Sequence, residues 1–231
     1  MVPKHIGIIL DGNRRFAKRL MVKPWKGHEW GKDKVHKVLE WTKKLGINEV
    51  TFYAFSMQNL GRPKVELDYI MNLFCEGFEE LKARLAELKE DGVRINVIGR
   101  TKLLPQPLQD IIKEVMDLTK DHGPRMVNFA LAYGGREEVM DAITKIAHQV
   151  KEGTLDVDKI NEDTFEENLY LKDEPDLVIR TGGDQRTSNF LPWQSVYSEW
   201  FFLEKYWPEF EEEDLLQIVE EYGKRERRYG K

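Results

Sequence analysis

A single cysteine, Cys75, among 231 residues leaves no intramolecular disulfide to form, and with no Cys/His cluster there is no thiolate zinc centre. That usage fits a reducing compartment, so a cytoplasmic location is the expectation. A basic excess is missing too. The chain has 36 Lys and Arg against 41 Asp and Glu, a net charge of −5, which argues against general nucleic-acid binding. Any anion site must therefore be local. Apolar runs fall far short of the roughly 20 residues of a membrane span. Lys4, His5 and Asp11 interrupt the apolar N-terminus too early for a signal peptide. Membrane contact is then expected to be peripheral or through a lipid substrate. Walker A and GxGxxG motifs are absent, which makes nucleotide binding less attractive than binding of a diphosphate with an apolar tail.

What is present is globular. With 41% hydrophobic and 33% charged residues, the chain can bury one large core, and it contains no repeat, linker or low-complexity segment. We expect one domain over residues 1–231. Buried strands are expected at 6–10, 49–56, 93–98, 126–133, 176–179 and 200–203, from their β-branched and aromatic content. Helices are expected at 29–45, 65–89, 108–120, 137–150, 162–169 and 211–222, a short basic one begins near Arg14, and 19–28 reads as a loop. The alternation implies an α/β fold, with a central, mainly parallel, six-stranded sheet flanked by helices. The stripe on the 65–89 helix, which includes Phe74 and Phe78, is broad enough to line an apolar cavity, although core packing explains most such stripes.

Three strand ends carry phosphate-type chemistry: Asp11-Gly12-Asn13-Arg14-Arg15, Gly134-Gly135-Arg136, and 180–188 with Arg180, Arg186 and Ser188. In a parallel sheet these ends converge on one edge. Glycine allows close backbone approach, and a guanidinium fork grips phosphate oxygens in two places. Asp11 and Glu199 are the carboxylates best placed for Mg²⁺, which favours oxygen ligands and phosphates.

Five ordered stretches, HIGIILDGNRRFAK, YAFSMQNLGRP, AYGGR, DLVIRTGGDQRTSNFLPWQSVYSEWFF and RERRYG, resemble the cis-prenyltransferases, the undecaprenyl diphosphate synthase family, over essentially the full length. The resemblance implies a homodimeric transferase of isoprenoid biosynthesis, a Mg²⁺-dependent polyprenyl diphosphate synthase with an apolar tunnel for the prenyl chain. Such enzymes join isopentenyl diphosphate to an allylic diphosphate, here farnesyl or geranylgeranyl, forming a Z double bond and releasing diphosphate. Carried over, Asp11 places Mg²⁺ on the allylic diphosphate, which Gly12, Asn13, Arg15 and His28 hold. Arg180, Arg186 and Ser188 grip isopentenyl diphosphate, and Glu199 shares the metal. Phe55, Ser56, Asn59 and Arg62 match a mobile loop, with Ser56 and Asn59 associated with proton removal. Arg228 and Gly230 match a C-terminal element that reaches a neighbouring site in dimers.

The chain departs from the family pattern at Arg14 (usually Gly), Pro24 (usually Arg), Met57-Gln58, Leu60 (usually Trp) and Gln185 (commonly His). Arg14 is expected to replace the charge missing at Pro24. These positions surround substrate closure, so an irregular, lavandulyl-type condensation or an altered acceptor is the alternative. A non-catalytic subunit of a heteromeric synthase is a weaker one.

Overall fold

The computed structural model describes residues 1–225. The chain begins with β1 (His5–Ile9), α1 (Asn13–Arg19), α2 (Gly27–Lys44) and β2 (Glu49–Ser56). It continues through α3 (Lys64–Ala83), α4 (Leu85–Glu90), β3 (Val93–Ile98), α5 (Gln106–Thr119) and β4 (Arg125–Tyr133). After α6 (Gly135–Lys151) and α7 (Glu162–Glu166) come β5 (Leu177–Arg180), β6 (Glu199–Phe202) and α8 (Glu212–Lys224).

All six strands form one sheet in the order β3-β4-β2-β1-β5-β6, and every neighbouring pair is parallel. A strand covered on both faces must be apolar on both, and each of the five residues of β1 is buried. Alternate side chains serve two cores. Ile6, Ile8, Phe52 and Ile179 meet residues of α2, α3, α5 and α8, whereas Ile9, Tyr53, Val178 and Tyr133 meet Leu171, Phe190 and Leu191. Strand order reverses between β1 and β5. Ligands of open α/β sheets bind beyond the carboxyl ends of strands at such a switch point, and Asp11 and Arg180 stand there. Among the described residues no helix is long and apolar enough to cross a membrane.

Two expectations are corrected. The 65–89 helix is broken at Arg84, whose φ of −102° and ψ of 21° leave the helical range between α3 and α4. No Gly or Pro marks the break, so periodicity alone runs through it. The segment read as a loop over 19–28 is partly helical: Pro24 opens a one-turn 3₁₀ segment, Pro24–Lys26, that runs directly into α2. Proline at a first helical position loses no hydrogen bond, because that N–H has no partner within the helix.

Candidate active site

The centre of the site is Asp11, two residues beyond β1. Both of its carboxylate oxygens are engaged: Arg180 Nη2 donates to Oδ2 at 3.0 Å, and Arg15 Nη2 donates to Oδ1 at 3.1 Å. Gly12 makes the turn. It has φ 104°, and a Cβ there would come within 2.7 Å of the Tyr206 ring, so only glycine fits. Gly182 has φ 95° on the β5 side, and a Cβ would meet Arg15 Nη2 at 2.6 Å. Two glycines thus let the turns after β1 and β5 close on each other around a carboxylate and two guanidiniums.

A second carboxylate, which the sequence reading did not single out, completes the knot. Asp184 accepts from Arg186 through both of its oxygens at 2.9 Å, and from Arg15 at 3.5 Å. Burial works against its ionisation, but Arg186, Arg15 and Arg180 together hold the Asp184 carboxyl below the usual carboxylate range. Arg180 also donates to Ser188 Oγ at 2.7 Å, and Tyr53 Oη donates to the Ser188 carbonyl at 3.2 Å. Ser188, Asn189 and Leu191 all have positive φ, of 50°, 65° and 44°. Strained backbone of this kind persists where the surroundings over-determine it. The knot is not saturated: buried Arg180 Nε and Asn13 Oδ1 have no hydrogen-bond partner.

The facing wall comes from the segment after β2. Ser56 N–H donates to Asn59 Oδ1 at 3.0 Å, which closes the turn Met57–Gly61 and leaves Ser56, Gln58, Asn59 and Arg62 lining the same cavity as Asp11, Asn13, His28, Arg180 and Ser188. That cavity measures about 480 Å³. A second, of about 330 Å³, shares Asp11, Asn13, His28 and Arg62 and adds Gly12, Arg14, Arg15, Lys18, Asp184 and Arg186. The two are halves of one cleft. His28 sits on the boundary; burial first, then the Arg62 and Arg14 charges, push its pKa down to about 3. The ring is therefore neutral, and because Nε2 faces Arg62 Nη1 at 3.2 Å, its proton belongs on Nδ1.

Four expectations change here. Arg14 lines the cleft, but its Nε lies 3.4 Å from Glu66 of α3, a buried carboxylate that also accepts from Arg62 at 2.8 Å. Its charge is thus partly committed to Glu66, which the sequence did not flag. The Gly134-Gly135-Arg136 corner does not offer free N–H groups to an anion. Asn189 takes Gly135 N–H through its carbonyl at 2.8 Å and Arg136 N–H through Oδ1 at 2.9 Å, so this helix start anchors the Ser188 loop. Glu199 begins β6 in register with Leu177, at the amino end of the sheet, and pairs with Arg225 at 2.5 Å. Within one chain Glu199 and Asp11 lie at opposite ends of the strands and cannot share a metal. Phe55 belongs to β2 and not to the loop after it; it is buried, edge-on to Phe74 at 6.0 Å, and lines the cleft from the strand. Arg228 and Gly230 lie outside the described residues.

Behind the cleft an almost wholly apolar cavity of about 100 Å³ runs between α2 and α3, beneath β2 and β4. Asn13 and His28 stand at its polar end; Val35, Leu39, Phe74, Phe78 and Leu81 continue it. The arrangement is an oxyanion-gripping cleft that opens onto an apolar slot, which defines an enzyme for amphiphilic diphosphates.

The family model described as "Putative undecaprenyl diphosphate synthase" matches residues 9–230. A tritrans,polycis-undecaprenyl-diphosphate synthase (geranylgeranyl-diphosphate specific) of Methanopyrus kandleri is 48% identical over 100% of this chain and 85% of its own length. The enzyme of the same description from Pyrococcus horikoshii is 46% identical, over 100% and 88%. Among solved structures, lavandulyl diphosphate synthase from Lavandula x intermedia, in complex with dimethylallyl diphosphate, superposes with a TM-score of 0.92. It is 37% identical and covers 100% of this chain and 99% of its own. The chain belongs to the undecaprenyl diphosphate synthase family. It is a cis-prenyltransferase, a transferase of isoprenoid biosynthesis that condenses isopentenyl diphosphate with an allylic prenyl diphosphate.

Proposed function

We propose that geranylgeranyl diphosphate is the preferred allylic substrate and that successive cis additions extend it to a long polyprenyl diphosphate. The observation that carries this reading is the joining of the Asp11–Arg15–Arg180–Asp184 knot to the apolar slot between α2 and α3. The specificity printed for relatives 46–48% identical over the whole chain supports the primer. One domain, residues 1–231, carries the reaction, since one sheet holds all six strands.

In this reading Gly12, Asn13, Arg15 and His28 bind the allylic diphosphate, with the Nδ1–H of neutral His28 as a donor. Arg62 and Arg14 face the same group from the far rim. Arg180, Arg186 and Ser188 bind isopentenyl diphosphate, and Ser56 and Asn59 stand where its proton is lost. Ionisation of the allylic C–O bond places a growing negative charge on the leaving diphosphate. Preorganised guanidiniums in a water-poor cleft stabilise such charge far better than water does. No cluster of three carboxylate, His or Cys groups among the described residues could hold a cation unaided. The donor set fits Mg²⁺ delivered on substrate phosphates and caught by Asp11. When bound there, the ion further neutralises the leaving group. Phe74 and Phe78, one turn apart on α3, limit the growing chain; Phe74→Ala is expected to shift products to longer chains, read by reversed-phase chromatography. The enzyme acts as a homodimer, and its lipid product leaves at a membrane surface.

Purified protein with Mg²⁺ and labelled isopentenyl diphosphate should incorporate label onto geranylgeranyl diphosphate in preference to farnesyl diphosphate. A reversed preference, or no incorporation, overturns the reading. The 0.92 superposition on a lavandulyl diphosphate synthase makes irregular condensation the second reading. NMR of the product's new linkage separates the two.

A further inference from the structure

Between the first catalytic turn and α2 the chain makes a protruding connection whose composition is unlike the rest of the protein. Residues 12–28 hold six basic side chains and no acidic one, in a chain of net charge −5. Arg14 and Arg15 face the cleft, and Arg19 is engaged by Glu209 at 2.5 Å. Lys18 also lines the cleft, whereas Lys23 and Lys26 are exposed away from it, and neither of these two pairs with a described carboxylate. At the tip stand two apolar side chains, Leu20 at 45% and Met21 at 94% exposure.

Met21 is out of place in two independent ways. A large apolar side chain almost wholly in solvent is one. The other is its backbone: φ is 57°, and Met21 N–H and Val22 N–H close α1 onto the carbonyls of Lys18 at 3.0 Å and Ala17 at 3.1 Å. That bonding pattern ends a helix through a left-handed residue that is most often glycine. Methionine there gives up stability locally and adds no packing in exchange. Close by, Lys23 Nζ lies 5.4 Å from the Trp25 ring centroid, and the partly exposed Trp30 stands edge-on to Phe16 at 5.5 Å.

We infer that the turn from Leu20 to Lys26 docks the protein on an anionic lipid surface, with Leu20 and Met21 entering the interface and Lys23 and Lys26 meeting the headgroups. Basic residues around a small apolar tip with tryptophan nearby are the elements of interfacial attachment. Two adjacent apolar side chains on a narrow turn are too little surface for a stable protein interface, which needs a broad buried patch. The location suits the role. His28 and Asn13, at either end of the same stretch, line the polar end of the apolar slot, so the turn would hold that opening against the bilayer. The inference rests on the proposed handling of a polyprenyl lipid, but its test needs no substrate.

The intact protein should co-sediment with vesicles of phosphatidylcholine mixed with phosphatidylglycerol, bind phosphatidylcholine alone far less, and detach in high salt. Met21→Gly should cut binding about tenfold while leaving the thermal midpoint unchanged or higher, because glycine relieves the backbone. Lys23→Glu with Lys26→Glu should abolish it. Incorporation of isopentenyl diphosphate in detergent should be unchanged in both variants. Wild-type protein that stays in the supernatant with anionic vesicles, Met21→Gly protein that binds as the wild type does, or a changed oligomeric state in Met21→Gly would each overturn the inference. Loss of incorporation with vesicle binding retained would count against the catalytic reading and leave this one standing.

Discussion

The two ends of the sheet use the same residue types in opposite ways. At the carboxyl end, Asp11 and Asp184 are ringed by Arg15, Arg180 and Arg186, so that each carboxylate sits against guanidiniums of opposite sign. At the amino end, His5 and Glu49 lie side by side in register, and both are pushed toward neutrality. Burial is the main cause in each case: it lowers His5 to about 4 and raises Glu49 to about 7. Around them runs a ladder of neutral hydrogen bonds. His5 meets Thr51 Oγ1 at 2.8 Å, and Asn128 Nδ2 bonds Glu49 at 2.7 Å and Thr51 at 3.0 Å. Asn96 bonds Asn128 at 2.9 Å. The ladder joins strands across the sheet. Each end leaves a buried polar atom unpaired, Arg180 Nε and Asn13 Oδ1 at the carboxyl end and His5 Nδ1 at the amino end, but only the carboxyl end sets its carboxylates against guanidiniums beside an open cavity. The difference teaches that burial alone does not mark a site; carboxylates and guanidiniums gathered beside an open cavity do.

The comparison breaks if a substitution at the amino end costs catalysis, or one at the carboxyl end costs only stability. Asp11→Asn removes the charge that Arg15 and Arg180 share, and should lower kcat by about 10³-fold in single-turnover incorporation, with a thermal midpoint near that of the wild type. Glu66→Gln leaves Arg62 and Arg14 without their buried counter-charge. It should destabilise by about 3 kcal/mol in denaturant titration and raise KM for the allylic substrate. Glu49→Gln keeps the acceptor for Asn128 and removes a proton site whose pKa is raised on folding. The wild-type contribution is full below pH 4.5 and is lost as pH rises through about 7. The variant should therefore gain about 1 to 2 kcal/mol at pH 8 with kcat unchanged. His5→Asn works in the other direction. A lowered histidine pKa contributes stability that is present above pH 6.5 and lost as pH falls toward about 4, so the variant should flatten the acid limb of a melting-temperature profile.

Much of this was legible in the sequence for a physical reason. Strands buried on both faces must be runs of β-branched and aromatic residues, so 49–56 and 93–98 appear as such and match β2 and β3 residue for residue. Chemistry at strand ends is also visible, which is why Asp11, Arg15, Arg180 and Ser188 stood out. Counter-ions were harder to see. Asp184 lies inside a quoted motif, but only the folded loop shows that it clamps Arg186 and Arg15. Glu66 looks like any acidic residue in a first helical turn. The Glu199 expectation carried its own warning: a residue just ahead of a parallel strand lies at the sheet's amino end, away from Asp11.

Glu66 serves two guanidiniums with one carboxylate. A phosphate that draws Arg62 away from it leaves the carboxylate wholly to Arg14, and so tightens α1 against α3. By thermodynamic reciprocity, whatever strengthens the Arg14 pair must in turn make Arg62 easier to withdraw. The two guanidiniums on that rim of the cleft are thereby coupled through a single shared charge.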